Sequence, residues 1–555
     1  MDVDVVVIGS GAGGLAAAVA LARAGKKVIV LEQHYLPGGW CHSFSLGGYR
    51  FSPGVHYLGE LQPGGMLRQT YEGLGLGADL VFCELNPNGY DHVLLGDAPA
   101  DRFDYVKGKE ALVDALSARF PAERAGLSRY FDVVGRLSRE LNELVSIAGL
   151  GDVVKLPFTA PNVTRWALSS ARALIEHHVR DPKLRAVLGA QAGDTGLPPS
   201  RMPAVMHAAV QAHYFHGGYY PRGGGAALPR AFIRALRRAG SDIKVRAEVS
   251  RILVEHGRAI GVRLADGTEI RAKLVISNAD PEITLRRLVG EEHLSGLERL
   301  RLSRTKWSVS AISLFMATDL DLRAQGIDSG NYWYFGGGDV EGTYRKGLEA
   351  WGPSDGPIPG GFLTCTTLKD PSKRYGGKHT LESFAFVGYD AFKAWSDTRY
   401  GARPESYEAR KRELTTRMLE LASHVIPGLD RHVTFAELGT PLSNVHYVAS
   451  TRGNLYGTEK SLSQIGPFGQ PLTTSIGGLF MVGASTLSHG VMGAHVSGLA
   501  VASKILRCKV PELFKSDGGE VTVLPSEHPE AWPKHLLDRR GGDGAQGAAE
   551  SGALG

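Results

Sequence analysis

The stretch VDVVVIGSGAGGLAAAVALARAGKKVIVLEQ, Val3 to Gln33, decides the fold. It reads as an apolar strand to Ile8, a glycine turn, an alanine-rich helix to about Ala24, and a second strand from Val28 to Leu31. Such a βαβ unit needs glycine at three places, and Gly9, Gly11 and Gly14 supply the G-x-G-x-x-G spacing. The first allows the tight turn, the second lets backbone approach a pyrophosphate, and the third lets helix and strand pack closely. Ala12 and Gly13 open the helix, whose unpaired N–H groups and positive dipole end favour phosphate. Glu32 stands 23 residues after Gly9 at the end of the second strand, with Gln33 beside it. A carboxylate there accepts hydrogen bonds from an adenosine ribose and disfavours a ribose phosphate, so NADP is not the expected occupant.

Six residues beyond Glu32 comes a second glycine pair, Gly38 and Gly39, opening the segment GGWCHSFSLGGYRFSPGVHYLG that runs to Gly59. A glycine pair just past the ribose acid brings backbone close to the cofactor again, which points to FAD rather than NAD. Downstream, no second G-x-G-x-x-G is followed by a strand and an acid; RGGGAALPRAF and FGGGDVEG miss the spacing and read as loops. A dedicated nicotinamide domain is therefore not expected, and the electron donor or acceptor is a separate, unidentified partner.

Bulk properties narrow the rest. The chain has 555 residues, 43% hydrophobic and 21% charged, enough for two or more lobes. A net charge of +5 over this length gives no argument for nucleic acid. Cys41, Cys83, Cys365 and Cys508 are widely spaced, which argues against a zinc site or disulfide framework and suits a reducing, cytoplasmic setting. His177 and His178 are adjacent and cannot share one helix face, and no metal site is expected. SRTK, Ser303 to Lys306, lacks the partner motifs of a serine nucleophile. The acidic start MDVDVVVIG reads as a strand rather than an export signal, and no apolar run reaches the roughly 20 residues of a membrane helix. Peripheral membrane contact stays open, through the basic helix face of Arg230, Arg234, Arg237 and Arg238 or through VKLPFTAPNVTRWAL with Phe158 and Trp166. A buried hinge is an equal reading of the latter.

Several separated segments resemble the FAD-dependent family of phytoene desaturases, carotenoid isomerases and retinol saturases. They are the N-terminal βαβ unit with PGGWCHSF, the stretch Tyr219 to Pro281, TPLSNVHYVASTRGNLYG, and GGLFMVGASTLSHGVMGAHVSGLAVASKIL, spanning residues 1 to about 510. GVHYLG looks most like the retinol saturase branch. The resemblance implies an α/β fold: a Rossmann-type FAD-binding domain, parallel sheet plus antiparallel meander, interleaved with an α+β substrate-binding lobe. Its expected pieces are 1–75, 221–299 and 466–510 for the FAD domain, and 76–220 and 300–465 for the lobe. The runs Lys244 to Val254, Arg258 to Leu264 and Ile270 to Ser277, separated by EHG and ADG turns, suit the meander. By resemblance, backbone near Val249 pairs with adenine. A strand Leu479 to Val482 leads to Gly483, and the following helix directs its N-terminus, with Val491 and Met492, at the flavin ring. Where many relatives carry an aspartate close after that glycine, this chain has Ala484, Ser485 and Thr486.

Saturating an isolated C=C bond needs a hydride and a proton, so an acid within hydrogen-bonding reach is useful, a water being the other source. His56 and Tyr57 are the candidates, with packing as the alternative for either; His42 is read as a support of the flavin loop, and His489 and His495 flank the closing helix. The implied activity is hydrogen transfer at a C=C bond of a long apolar polyene, as in all-trans-retinol 13,14-reduction. Desaturation or isomerisation of a carotenoid is the runner-up. An amine oxidase or a non-enzymatic lipid escort on the same fold are further alternatives. The tail 515–555 is rich in Gly, Ala, Pro and acidic residues, and is expected to be disordered.

Overall fold

The computed structural model describes residues 2–96, 101–144, 158–349, 351, 356–515 and 517–537. Strand Asp2–Ile8 runs parallel to both its neighbours, Glu269–Ser277 on one side and Val28–Leu31 on the other. Val5 and Val7 pack into one core with Leu15 and Val19 of the helix Ala12–Arg23, whereas Val3, Val6 and Ile8 face a second core. Burial on both faces is why this strand reads as a continuous apolar run. Strand Asp242–Lys244 extends the parallel array beside Val28–Leu31.

The antiparallel meander joins this sheet through its third strand. Glu269–Ser277 offers one edge to two partners: its first residues pair antiparallel with Arg258–Leu264, its last with the parallel strand Leu479–Met481. His256 and Gly257, with φ of 49° and 72°, make the tight turn between Val249–Glu255 and Arg258–Leu264, the left-handed pair that matches strand twist in a two-residue hairpin. The expected run Lys244 to Val254 is not one strand. Lys244 ends a strand on the far side of the sheet, Arg246 turns the chain at φ 52°, and pairing resumes at Val249.

A second, mixed sheet is built from residues 91–105 and 310–439. Its order is Val433–Gly439, Ser310–Thr318, His379–Val387, Gly360–Cys365, Asn331–Phe335, Asp91–Leu95, Arg102–Tyr105. All neighbours are antiparallel except Asn331–Phe335 with Asp91–Leu95. The parallel pair sets Asn331 opposite Asp91 at the strand beginnings, a placement that matters below. Among the described residues no helix is long and apolar enough to cross a membrane.

The expectation of disorder from 515 onward is corrected for residues 517–537. Strand Thr522–Pro525 pairs in parallel with Val81–Glu84, which would otherwise be the open edge of a two-stranded ribbon with Tyr219–Pro221. Trp532 is 4% exposed and its Nε1 donates to the Pro525 carbonyl at 2.7 Å. The rest of the tail lies outside the described residues. Trp532→Ala should lower the unfolding free energy by about 3 kcal/mol, and a chain ended after Lys515 should lose more. Urea denaturation checks both, and an unchanged midpoint in the shortened chain would restore the view that this segment is idle.

Candidate functional site

The loop between Ile8 and Ala12 is shaped by what it must touch. Gly9 adopts φ 87°, and its N–H donates to the Leu31 carbonyl at 2.8 Å. A Cβ on Gly14 would lie 2.4 Å from the Gly9 carbonyl oxygen and 3.2 Å from Val7 Cγ1, so the third glycine of the motif is a packing residue. Gly13 faces the closing helix: a Cβ there would meet Gly483 N at 2.8 Å and the Ala494 carbonyl at 2.9 Å. Gly498 on that helix, Gly490–Leu506, answers it, with a Cβ placed only 2.2 Å from the Gly13 carbonyl. Two helix backbones thus meet where side chains would hold them apart.

Asn278 is the hub of this contact, and the sequence reading missed it. Its N–H donates to Ile8 O at 2.8 Å and its Oδ1 accepts from Gly14 N at 3.0 Å. Cβ atoms on Gly9, Gly11, Gly13 or Gly483 would each come within 4 Å of it. Asn278 holds the first turn of the helix against the strand end with a side chain, leaving Gly11, the residue before the helix, without any capping side chain.

Glu32 is 8% exposed, and its carboxylate is engaged on one side by Ser10. Oε2 accepts from Ser10 N at 2.9 Å and from Ser10 Oγ at 2.5 Å, and Oε1 accepts from His34 N at 2.9 Å. Ser10 Oγ also accepts from Gly38 N at 2.9 Å, tying the second glycine pair to the first loop. A Cβ on Gly39 would sit 3.3 Å from Gly11 Cα. His42 closes this turn through a 2.6 Å contact from Nδ1 to the Gly39 carbonyl, and burial depresses its pKa to about 4, so it is a neutral support. After Gly483 the hydroxyls divide: Thr486 Oγ1 donates back to the Gly483 carbonyl at 2.8 Å, whereas Ser485 borders the cavity.

A continuous cavity of about 1100 Å³ runs from these loops into the space above the second sheet. Gly9, Gly11, Ala12, Gly13, Glu32, Gln33, Gly38, Gly39, Val249, Gly483, Ala484, Val491 and Met492 all line it, as do His56 and Tyr57. Gly14 alone of the cofactor-binding and catalytic candidates does not. His495, by contrast, packs against Tyr71 and Phe232 in the core. The arginine face is already engaged: Arg234 and Arg238 pair with Asp79, and Arg237 with Asp242.

At the far end the second sheet supplies charges that no motif announced. His56 Nδ1 lies 3.2 Å from Glu382 Oε2, off the line of a hydrogen bond, and its ring leans on Phe362 and Phe384. Glu382 Oε1 accepts from Ser52 N at 2.8 Å, and Lys369 Nζ donates to the His56 carbonyl at 2.7 Å, so both fix the loop that carries His56 and Tyr57. The Tyr57 hydroxyl contacts Asp91 Oδ2 at 3.0 Å and Asp194 Oδ2 at 3.2 Å, and its ring stacks on Tyr214 at 4.3 Å. Burial, with Asp194 and Asp91 adding to it, pushes the Tyr57 hydroxyl well above the ordinary phenol range. Burial lowers Lys369 to about 7 against the pull of Glu382 and Asp91. The same cost of burial raises Asp91 to about 6, opposed by hydrogen bonds from Asn331, Gln191 and Tyr57. No cluster suited to a metal ion occurs among the described residues.

Residues 12–506 match the family described as flavin containing amine oxidoreductase. The chain is 30% identical over 534 residues to an all-trans-retinol 13,14-reductase of Danio rerio, covering 91% of this chain and 86% of that protein. It is 27% identical over 514 residues to a chloroplastic prolycopene isomerase of Arabidopsis thaliana, covering 90% and 82%. Among solved structures, an oxidoreductase from Methanosarcina mazei superposes with a TM-score of 0.59 at 19% identity, over 90% of this chain and 99% of the other, a likeness of fold.

The Gly13–Gly498 crossing is directly testable. Gly498→Ala, whose new Cβ meets backbone at 2.2 Å, should destabilise the protein by about 1–3 kcal/mol. Gly296→Ala, with nothing within 4 Å, should leave the thermal midpoint nearly unchanged.

Proposed function

The chain belongs to the flavin-containing amine oxidoreductase family, and on that premise we propose that it reduces a C=C bond of a long apolar polyene, retinoid or carotenoid. The observation that carries this reading is the end-to-end similarity to a retinol 13,14-reductase. It is joined to a cavity whose outer wall is apolar and aromatic, with Met206, Val210, Trp333, Phe362 and Phe384.

FAD is the cofactor, and the residues lining the inner half of the cavity fit it. Gly11 brings no capping side chain of its own and Asn278 takes the Gly14 N–H, so the backbone N–H groups of Ala12 and Gly13 would hold the pyrophosphate. Glu32 Oε1 takes one N–H from His34 and keeps a lone pair for a ribose hydroxyl. Val249 backbone would meet adenine, and Gly38, Gly39, Gly483 and Ala484 would allow close approach along the cofactor. Val491 and Met492, in the first turn of the closing helix, lie where its dipole favours negative charge. When bound, FAD supplies hydride chemistry to and from carbon. The chain's own work is to exclude water, to align an alkene along the aromatic wall, and to provide the proton from the face carrying His56 and Tyr57.

We further infer that electrons come from a separate donor, because the sequence holds one complete dinucleotide unit. We also infer that substrate is collected at a lipid surface through Phe158 and Leu168, which are 88% and 79% exposed on either side of helix Pro161–Trp166. Similarity to a prolycopene isomerase supports isomerisation as the second reading.

Anaerobic incubation of photoreduced enzyme with retinol or lycopene-type polyenes, read by mass spectrometry, decides among these. Gain of two hydrogens is expected; loss in a parallel incubation with oxidised enzyme, whose flavin can accept the hydride, indicates a desaturase, and unchanged mass with altered retention an isomerase. Glu32→Gln should weaken FAD binding by about 10- to 100-fold, the value of one charged hydrogen bond, measured by flavin fluorescence. Replacing Phe158 and Leu168 by Ser should reduce co-sedimentation with phosphatidylcholine vesicles severalfold while leaving turnover of detergent-solubilised substrate intact.

A further inference from the structure

Counting hydrogens around Tyr57 singles out one carboxyl. The phenol carries a single hydrogen, yet its oxygen lies 3.0 Å from Asp91 Oδ2 and 3.2 Å from Asp194 Oδ2. If Tyr57 donates to one carboxylate, the other contact is attractive only when that second carboxyl brings a hydrogen of its own. Asp91 is the better-served anion. Its Oδ2 accepts from Gln191 Nε2 at 2.8 Å and its Oδ1 from Asn331 Nδ2 at 2.9 Å. The Lys369 ammonium, 2.5 Å from Asn331 Oδ1, adds a positive charge to the same group. Among the described residues, the Asp194 carboxyl has no hydrogen-bonding partner besides Tyr57. Asp194 is half-buried at the cavity wall, and lost hydration with the neighbouring Asp91 charge raises it well above the ordinary carboxylate range.

Asp194 is also well placed to act. It lines the cavity together with Tyr57, Tyr214 and Trp333. Its backbone carbonyl lies 2.7 Å from Nε2 of His489, the residue that precedes the closing helix, so it is fixed to the end of the cavity where Val491 and Met492 lie. The preceding residue is clamped as well, with Gly193 O accepting from Tyr456 at 3.0 Å. Trp333 Nε1 and His489 Nδ1 are buried there without partners, so polar atoms of a ligand have donors and acceptors to meet.

We propose that Asp194 is held as a neutral carboxylic acid at the cavity wall and is the catalytic residue that protonates the alkene, with Tyr57, Asp91 and Lys369 as positioning residues. The proposal rests on the reading of the cavity as a C=C-reducing site. In the step, the Asp194 O–H bond breaks and a C–H bond forms at one alkene carbon. The second C–H bond takes its hydride, with both electrons, from reduced flavin. As Asp194 becomes anionic, Tyr57 can turn its hydrogen from Asp91 to Asp194, while Asp91 keeps the amide donors of Gln191 and Asn331. The new charge is thus met by a hydrogen bond already within 3.2 Å.

Infrared difference spectra of purified wild type against Asp194→Asn test the protonation without any turnover. A neutral-carboxyl C=O band that shifts in D2O and is missing from the variant is expected; loss of a carboxylate band instead, with every neutral-carboxyl band retained, would overturn the proposal. With a polyene that wild type reduces, Asp194→Asn should slow reduction by about 10²- to 10⁴-fold at unchanged polyene binding, and Asp194→Glu should recover at least tenfold. An undiminished rate in Asp194→Asn would also overturn it. Should Asp194→Asn fail to fold, Asp194→Glu carries the infrared comparison, its band displaced rather than lost. Should wild type reduce no polyene, the functional reading fails while the infrared result still judges the acid.

Discussion

The structure depends on backbone meeting backbone at one point. Gly13 and Gly498 bring two helices to a distance that even one methyl group would forbid, since a Cβ on Gly498 would stand 2.2 Å from a carbonyl oxygen. Asn278 fills the remaining space and spends its side chain on the helix N-terminus. Because this crossing fixes where the closing helix begins, it also fixes His489 and the carbonyl of Asp194 bonded to it. A packing constraint behind the closing helix therefore sets the position of the acid beside that helix's N-terminus.

How far the sequence discloses this depends on how local each device is. The turn at Gly9, the packing glycine Gly14 and the acid Glu32 serve one βαβ unit, so about thirty consecutive residues contain both problem and solution. The turn of the meander was equally readable, since Gly257 marks it, whereas the break between Lys244 and Val249, turned at Arg246, carries no such mark. Asp91, Asp194, Lys369 and Glu382 come from separate elements and become neighbours only when two sheets assemble. None has a spacing that betrays the others. Asn278 could have been suspected from its position directly after the third strand of the meander, at the level of the glycine loop. The segment 517–537 was hidden for another reason. Composition reports whether a segment can make its own core, and this one instead borrows the edge of Val81–Glu84.

Burying Asp91, Lys369 and Glu382 works against folding, because each loses hydration that only well-placed partners restore. The chain meets that cost with amide donors on Asp91, with two carbonyl oxygens on Lys369 and with a backbone N–H on Glu382. A greasy cavity of this size could be lined by aliphatic residues more simply and more stably. Groups that break the local rule for a core, yet are nearly all satisfied, are where function is to be sought.

Asp194 is the member of the set whose needs are not met in ionised form, and the asymmetry has chemical content. A carboxyl with several donors is a strong acid, already ionised near neutral pH and left with no proton to give. A carboxyl with one phenol neighbour and an anion close behind it holds its proton until a stronger demand arises in the cavity. Proton delivery to carbon is such a demand, because the alkene offers no lone pair and develops basic character only as hydride arrives. The acid must therefore survive near neutral pH as the neutral form, and must be stabilised after the transfer rather than before it. Tyr57 between two carboxyls meets both conditions, since its one hydrogen serves the resting anion first and the new anion afterwards.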